Sequence, residues 1–177
     1  PDVRYLLGET PNIENYFVAA GFNSTGFQSA GGAGKVLAEW IVNSHPPMDL
    51  WDVDIKRMHS FQGNPNYLSE RVCETIGRHY TMHWPFKQSE TSRNIRVTPI
   101  YDRLKEHNAC FGESGGWERA NWFAPEGVEP KYEYSWGRQN WFPYWHDEHM
   151  ATRNNVALFD QSTFNKFLVK GRDSEKV

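Results

Sequence analysis

Tyr16-Phe17-Val18-Ala19-Ala20-Gly21-Phe22-Asn23-Ser24-Thr25-Gly26-Phe27-Gln28-Ser29-Ala30-Gly31-Gly32-Ala33-Gly34-Lys35 is the stretch whose reading decides the fold. It reads as an apolar strand, a turn spaced by Gly21 and Gly26, and a glycine-rich entry into a helix. Glycines at such a bend permit positive φ and let a ligand approach the backbone closely. The first unpaired N–H groups of the helix make a positive pole that can hold anionic charge. Spacing excludes two familiar phosphate loops: a P-loop needs Gly where Ser29 stands and Ser or Thr where Val36 stands, and no GxGxxG pattern occurs. If the turn holds a cofactor, it faces a part other than a pyrophosphate.

Outward from this turn, Val3 to Leu7 and Tyr16 to Ala20 read as short strands joined across Gly8 to Asn12. A helix is expected from about Ala33 to Val42, with Val36, Leu37, Trp40 and Ile41 on one face, ended by Ser44-His45-Pro46-Pro47. Trp51, Val53 and Ile55 alternate with charged residues as in a half-buried strand. Asn64-Pro65 opens a helix carrying a Leu68, Val72, Ile76 stripe. Thr98-Pro99 announces a short helix with Ile100 and Leu104, and Ala109 to Glu113 reads as a strand. Gly115 to Trp145 reads as extended segments and turns packed by rings, Tyr144 to Asn154 as helix, and Phe164 to Lys170 as strand.

Aromatic residues make up 15% of the 177, eight of them Trp, which calls for much buried flat surface. The 19 Lys and Arg are scattered and outnumbered by 22 Asp and Glu, so no basic field suits nucleic acid. No apolar run approaches the roughly 20 residues of a membrane span. Cys73 and Cys110 form no CxxC pair and read as free buried thiols.

Gly21-Phe22-Asn23-Ser24 with Gly26, then Gly31-Gly32, Gly34-Lys35 and Leu37-Ala38-Glu39-Trp40, closely resemble the last strand, turn and helix of FAD-dependent amine oxidoreductases, in the branch of dimethylglycine and sarcosine dehydrogenases. Pro1-Asp2 with Leu7-Gly8-Glu9 is similar to that family's lead-in. Gly116-Trp117-Glu118-Arg119, Asn121, Trp122 and Phe123 resemble its tryptophan-rich signature. Arg153 to Phe167, with Phe159-Asp160-Gln161-Ser162, resembles the opening of the folate-binding domain related to the glycine-cleavage T-protein.

The resemblance implies an α+β internal fragment of a longer protein. Residues 1–45 would be the end of an FAD-binding α/β domain, 46–114 a mixed α/β connector, and 115–177 an aromatic linker and the start of the folate-binding domain. It further implies FAD and tetrahydrofolate as cofactors, an N-methylated amino acid as substrate, and demethylation by hydride transfer to flavin. The substrate stands open between dimethylglycine, sarcosine and a longer methylamino acid, and the oxidant between oxygen and an electron-transfer flavoprotein. The one-carbon unit leaves as formaldehyde or passes to tetrahydrofolate. Gly21, Phe22, Asn23, Ser24, Thr25 and Gly26 are the implied clamp on the pyrimidine edge of the flavin. Simpler sarcosine oxidases commonly place a carboxylate-gripping lysine where Gln28 stands; its amide adds no charge, so Gln28 is a weak candidate substrate contact.

No catalytic residue is expected within the fragment, and membrane insertion is not expected. Localisation would be the mitochondrial matrix in a eukaryote and the cytoplasm in a bacterium. A non-catalytic relative, similar to the regulatory subunit of pyruvate dehydrogenase phosphatase, is the alternative, and an aminomethyltransferase-like folate protein with a degenerate flavin half is a weaker third. His146-Asp147-Glu148-His149 lacks the HExxH spacing and a third ligand, so it reads as a solvated helix face and not a metal site. His59, His79 and His83 read as structural. Arg119 is expected to pair with an acid while Trp117, Trp122 and Phe123 join domains, ahead of the reading in which Glu118, Arg119 and Trp122 border a channel.

Overall fold

The computed structural model describes residues 2–82 and 87–176, so His83 and Pro1 of the lead-in lie outside the described residues. The chain divides into two compact units, the first reaching to Met82 and including Glu90–Ser92, the second comprising Arg93 onward with the segment ending at Ser89.

In the first unit, β1 (Leu6–Glu9) and β2 (Phe17–Ala20) pair antiparallel, from Leu6 opposite Ala20 to Glu9 opposite Phe17. The first strand begins three residues later than its sequence suggests, because Val3 is left-handed at φ 66, which strand geometry does not allow. Helix α1 (Gly26–Asn43) starts seven residues earlier than expected. Gly31, Gly32 and Gly34 are therefore helical, and the glycine-rich entry is part of the helix itself. Tertiary burial outweighs the glycine penalty of roughly 1 kcal/mol per residue, since Trp40 is only 3% exposed and Ala33 is also buried. Ile41 points out, contrary to the expected face. Ser44, left-handed at φ 62, ends the helix ahead of the two prolines.

The alternating segment around Trp51 is not a strand. Leu7 N–H donates to the Val53 carbonyl at 2.8 Å, but this single point of contact leads only into 3-10 turns at Ile55–Arg57 and Ser60–Gly63. Arg57 locks the turn down, donating to both carboxylate oxygens of Asp2 at 2.9 and 3.1 Å and to the Arg4 carbonyl at 3.1 Å.

Helix α2 (Pro65–Gly77) begins as expected: Asn64 Oδ1 accepts from the Asn66 and Tyr67 amides, and Pro65 occupies the first turn, where a missing N–H costs nothing. Its buried side differs from the expected stripe, for Ile76 is exposed and the interior positions are Tyr67 and Arg71, with the guanidinium over the ring at 5.1 Å. A charged cluster replaces the aliphatic seam. Glu74 accepts from the Glu90 and Thr91 amides at 2.8 and 2.9 Å and from the Thr91 hydroxyl, and pairs with Arg78. Burial pushes the Glu74 carboxyl up, but these bonds and the Arg78 charge together hold it below the usual carboxylate range.

In the second unit, α3 (Tyr101–Glu106) leads into β3 (Ala109–Ser114), which pairs antiparallel with β4 (Trp117–Phe123). The second strand replaces the irregular aromatic segment expected there. Gly115 and Gly116, at φ 57 and 80, supply the two-residue turn with positive φ at both positions that right-handed strand twist favours. A register shift after Cys110 marks a bulge. Cys110, Trp122 and Ala124 form the core, packed by Val128, Tyr132, Trp141 and Tyr144. Burial pushes the Cys110 thiol up to about 11, leaving it inert as a nucleophile near neutral pH. Cys73 is exposed, unlike the buried thiol expected.

Ring packing does hold the stretch after β4, with Tyr132 stacked on Tyr134 and edge-on to Trp141. Helix α4 (Phe142–Asn154) follows. Phe164 to Lys170 forms no strand; Lys166 instead donates to the Gln161, Ser162 and Phe164 carbonyls at 2.6, 3.1 and 2.7 Å, bending the chain into a turn. Arg119 has no acidic partner among the described residues and lies over the Phe164 ring at 4.9 Å; the acid of the motif, Glu118, pairs with Arg93 instead. No described helix is long and apolar enough to cross a membrane.

Candidate functional site: the loop before α1

Gly21 to Thr25 form the loop between β2 and α1, and Gly26 opens the helix. Gly21 sits at φ 70 with open space where a side chain would project. Asn23 and Ser24 are also left-handed, at φ 44 and 72. Thr25 N–H is committed to the Phe22 carbonyl at 2.9 Å, as is its hydroxyl at 2.5 Å. The amides of Gly26, Phe27 and Gln28 then form the first turn of α1, which has no capping side chain and no acidic residue. Electron-rich atoms meet the helix's positive end there without competition.

Three contacts from distant sequence hold the loop, and none was legible in the residues. Asn23 Nδ2 donates to the Val3 carbonyl at 2.6 Å, the Tyr80 hydroxyl to Ser24 Oγ at 2.7 Å, and Tyr5 stacks on Phe22 with centroids 4.6 Å apart. The strained φ of Val3 accompanies the first of these bonds. Strain of this kind costs about 1–3 kcal/mol and persists only where surrounding structure over-determines it. Gln28 is exposed on the first turn of α1, beside a fully exposed Phe27.

An uncapped helix terminus, a side-chain-free approach at Gly21 and a loop braced from behind suit a flat, electron-rich ring edge. These residues fit a flavin. Among the described residues no group of His, Cys, Asp and Glu is placed to hold a metal ion.

Comparison with known proteins gives this geometry its context. Residues 43–98 match the family described as FAD dependent oxidoreductase central domain, and residues 100–177 the GCVT N-terminal domain. Over its full 177 residues the chain is 51% identical to 4-methylaminobutanoate oxidase (formaldehyde-forming) of Paenarthrobacter nicotinovorans, covering 22% of that protein. It is 33% identical to human mitochondrial sarcosine dehydrogenase, covering 22% of it, and 33% identical to the mouse mitochondrial pyruvate dehydrogenase phosphatase regulatory subunit, covering 20%. In both alignments the whole of this chain is matched. The chain thus spans about a fifth of the length of these relatives. With both domain families on one chain in this order, it belongs to the dimethylglycine and sarcosine dehydrogenase-like family of FAD-dependent oxidoreductases that carry a glycine-cleavage T-protein-like domain.

Proposed function

We propose that the protein containing this chain is an FAD-dependent oxidoreductase that demethylates an N-methylated amino acid, with the loop at 21–26 closing on the pyrimidine edge of the flavin. The observation that carries this reading is the 51% identity, unbroken over all 177 residues, to a formaldehyde-forming methylamino acid oxidase. Residues 1–45 would close the FAD-binding domain, 46–114 form the connector, and 115–177 lead into the folate-binding domain. The substrate favoured by the same identity is a longer methylamino acid such as 4-methylaminobutanoate. A neutral Gln28 agrees with a carboxylate held farther from the reacting carbon.

FAD bound here supplies the acceptor for the hydride leaving the N-methyl carbon. The chain's own part is electrostatic. Amides of Gly26, Phe27 and Gln28 stabilise negative charge gathering at the ring edge, while Asn23 and Tyr80 keep the loop from relaxing away. The one-carbon unit leaves as formaldehyde or passes to tetrahydrofolate at the second domain.

The purified full-length protein should show flavin absorbance, bleached anaerobically by 4-methylaminobutanoate faster than by sarcosine or dimethylglycine. Reoxidation of the bleached protein by air or by an electron-transfer flavoprotein identifies the oxidant. A colourless protein would reject the reading in favour of the regulatory relative.

The loop's role has a separate check. Asn23→Ala removes the bond to Val3, worth about 1 kcal/mol, and frees a left-handed position that alanine tolerates poorly. Full-length N23A should keep its fold but bleach at least several-fold more slowly; unchanged bleaching and flavin content would remove the loop from the flavin site.

A further inference from the structure

The Tyr80 hydroxyl reaches back 56 residues to donate to Ser24 Oγ at 2.7 Å. Tyr80 lies within the stretch that matches the FAD dependent oxidoreductase central domain, whereas Ser24 precedes that stretch. Both belong to the first unit. An ordered turn at the end of α2 carries the phenol: His79 N–H donates to the Ile76 carbonyl at 3.1 Å and Thr81 N–H to the Arg78 carbonyl at 3.0 Å. Arg78 is itself paired with Glu74, and the His79 ring meets the Tyr80 ring edge-on with centroids 4.4 Å apart.

Ser24 receives this bond at φ 72, beside Asn23 at φ 44. Two adjacent residues with side chains persist in that region only where their surroundings hold both. The Val3 carbonyl holds Asn23, and Tyr80 holds Ser24. The two hydroxyls of the loop then differ in what they can still do. Thr25 gives its proton to the Phe22 carbonyl at 2.5 Å, so that hydroxyl is spent. Ser24 accepts from Tyr80, and its own proton meets no acceptor among the described residues. A hydroxyl carries one proton to give and lone pairs with which to accept. Accepting one bond polarises it toward donating the next.

We propose that Tyr80 is a positioning residue for the flavin, orienting and polarising the Ser24 hydroxyl so that Ser24 donates to the pyrimidine edge and makes the bound ring easier to reduce. This rests on the reading in which the loop closes on that edge, and adds the residue of the central domain that tunes it. The acceptor gains negative charge on reduction, so a fixed donor holds the reduced ring more tightly than the oxidised one. No proton leaves either hydroxyl; the effect is electrostatic.

Spectroelectrochemical titration of the flavin in the full-length protein tests it. Ser24→Ala should lower the two-electron midpoint potential by about 30 mV, equivalent to a tenfold loss of preference for the reduced ring and the usual worth of a hydrogen bond to a charged acceptor. Tyr80→Phe keeps the ring and its contact with His79, and should shift the potential the same way by at least about half as much. The double variant should fall no further than Ser24→Ala alone, because Tyr80 acts through the serine hydroxyl. A tyrosine that merely braces the loop would cause FAD to be lost on gel filtration without moving the potential of the flavin retained. That result, unchanged potentials in a yellow protein, or shifts that add in the double variant would each overturn the inference and leave the proposed demethylation standing. A colourless wild-type protein would reject both.

Discussion

Replacing Glu118 with alanine is expected to destabilise the β3–β4 hairpin by about 3–5 kcal/mol, the usual consequence of removing one partner from a buried charge pair. The Glu118 side chain is 1% exposed and accepts three hydrogen bonds: from Arg93 Nε at 2.8 Å, from Arg93 through a second guanidinium nitrogen, and from the Asn94 amide at 2.8 Å. Bidentate pairing raises the Arg93 guanidinium above its ordinary value, against the opposing effect of burial. The same residue joins two pieces of backbone, for Glu118 N–H donates to the Arg96 carbonyl at 2.9 Å and Arg96 N–H to the Gly116 carbonyl at 3.0 Å. Without the carboxylate, the Asn94 amide loses its acceptor and the Arg93 guanidinium, left with only the Ser89 and Phe111 carbonyls at 3.0 and 3.2 Å, loses its counter-charge in a partly buried place.

Glu118→Gln should do almost as much harm, because its NH2 group would face donors and no charge would remain to balance Arg93. The double replacement Glu118→Leu with Arg93→Met should be milder than either glutamate variant, since it removes both charges together. Hydrogen exchange of the β3 and β4 amides in the full-length protein is the measurement, a local one because a multidomain protein need not unfold in two states. Protection should fall by roughly 100-fold or more, at about 1.4 kcal/mol per factor of ten. A change under threefold would show that the pair contributes little.

The features read correctly from the sequence are those whose cause is local. Asn64-Pro65 starts α2 through bonds made within three residues, and Ser44 with Pro46 and Pro47 ends α1. The features misread depend on partners. Trp51, Val53 and Ile55 alternate like a strand, but a strand also needs a neighbour along its length, and here only Leu7 is supplied. Phe164 to Lys170 likewise runs beside no described strand, and the Lys166 ammonium gathers its carbonyls. The β3–β4 hairpin was within reach, because Gly115-Gly116 flanked by Ser114 and Trp117 is a strong two-residue turn signal; the density of rings after it obscured the alternation. In the candidate site the turn between β2 and α1 was legible from its glycine spacing. Val3, Tyr5 and Tyr80, which brace it, were not, as nothing in a strained valine or a distant tyrosine announces its partner.

Gly8→Ala is expected to cost about 2–5 kcal/mol, combining overpacking of a filled interior with backbone strain. Gly8 lies at φ 108, a conformation side chains rarely adopt, and a methyl there would come within 2.4 and 2.5 Å of two carbons of the Trp40 ring. The ring has little room to give: it is 3% exposed, meets Phe17 edge-on with centroids 6.0 Å apart, and lies beneath the Lys56 ammonium at 5.8 Å. Relief must then come from sliding α1 away from β1, and the 21–26 loop leads directly into that helix. Gly8→Ala should therefore lower the protection of α1 and β1 amides and reduce flavin retention together in the full-length protein. Trp40→Leu makes room for the methyl but leaves the φ strain, so in a double-mutant cycle the pair should be less destabilised than the sum of the singles. Strict additivity would mean that the ring is not what fixes glycine at this position, and full flavin retention in a destabilised Gly8→Ala protein would separate the helix from the proposed flavin contact.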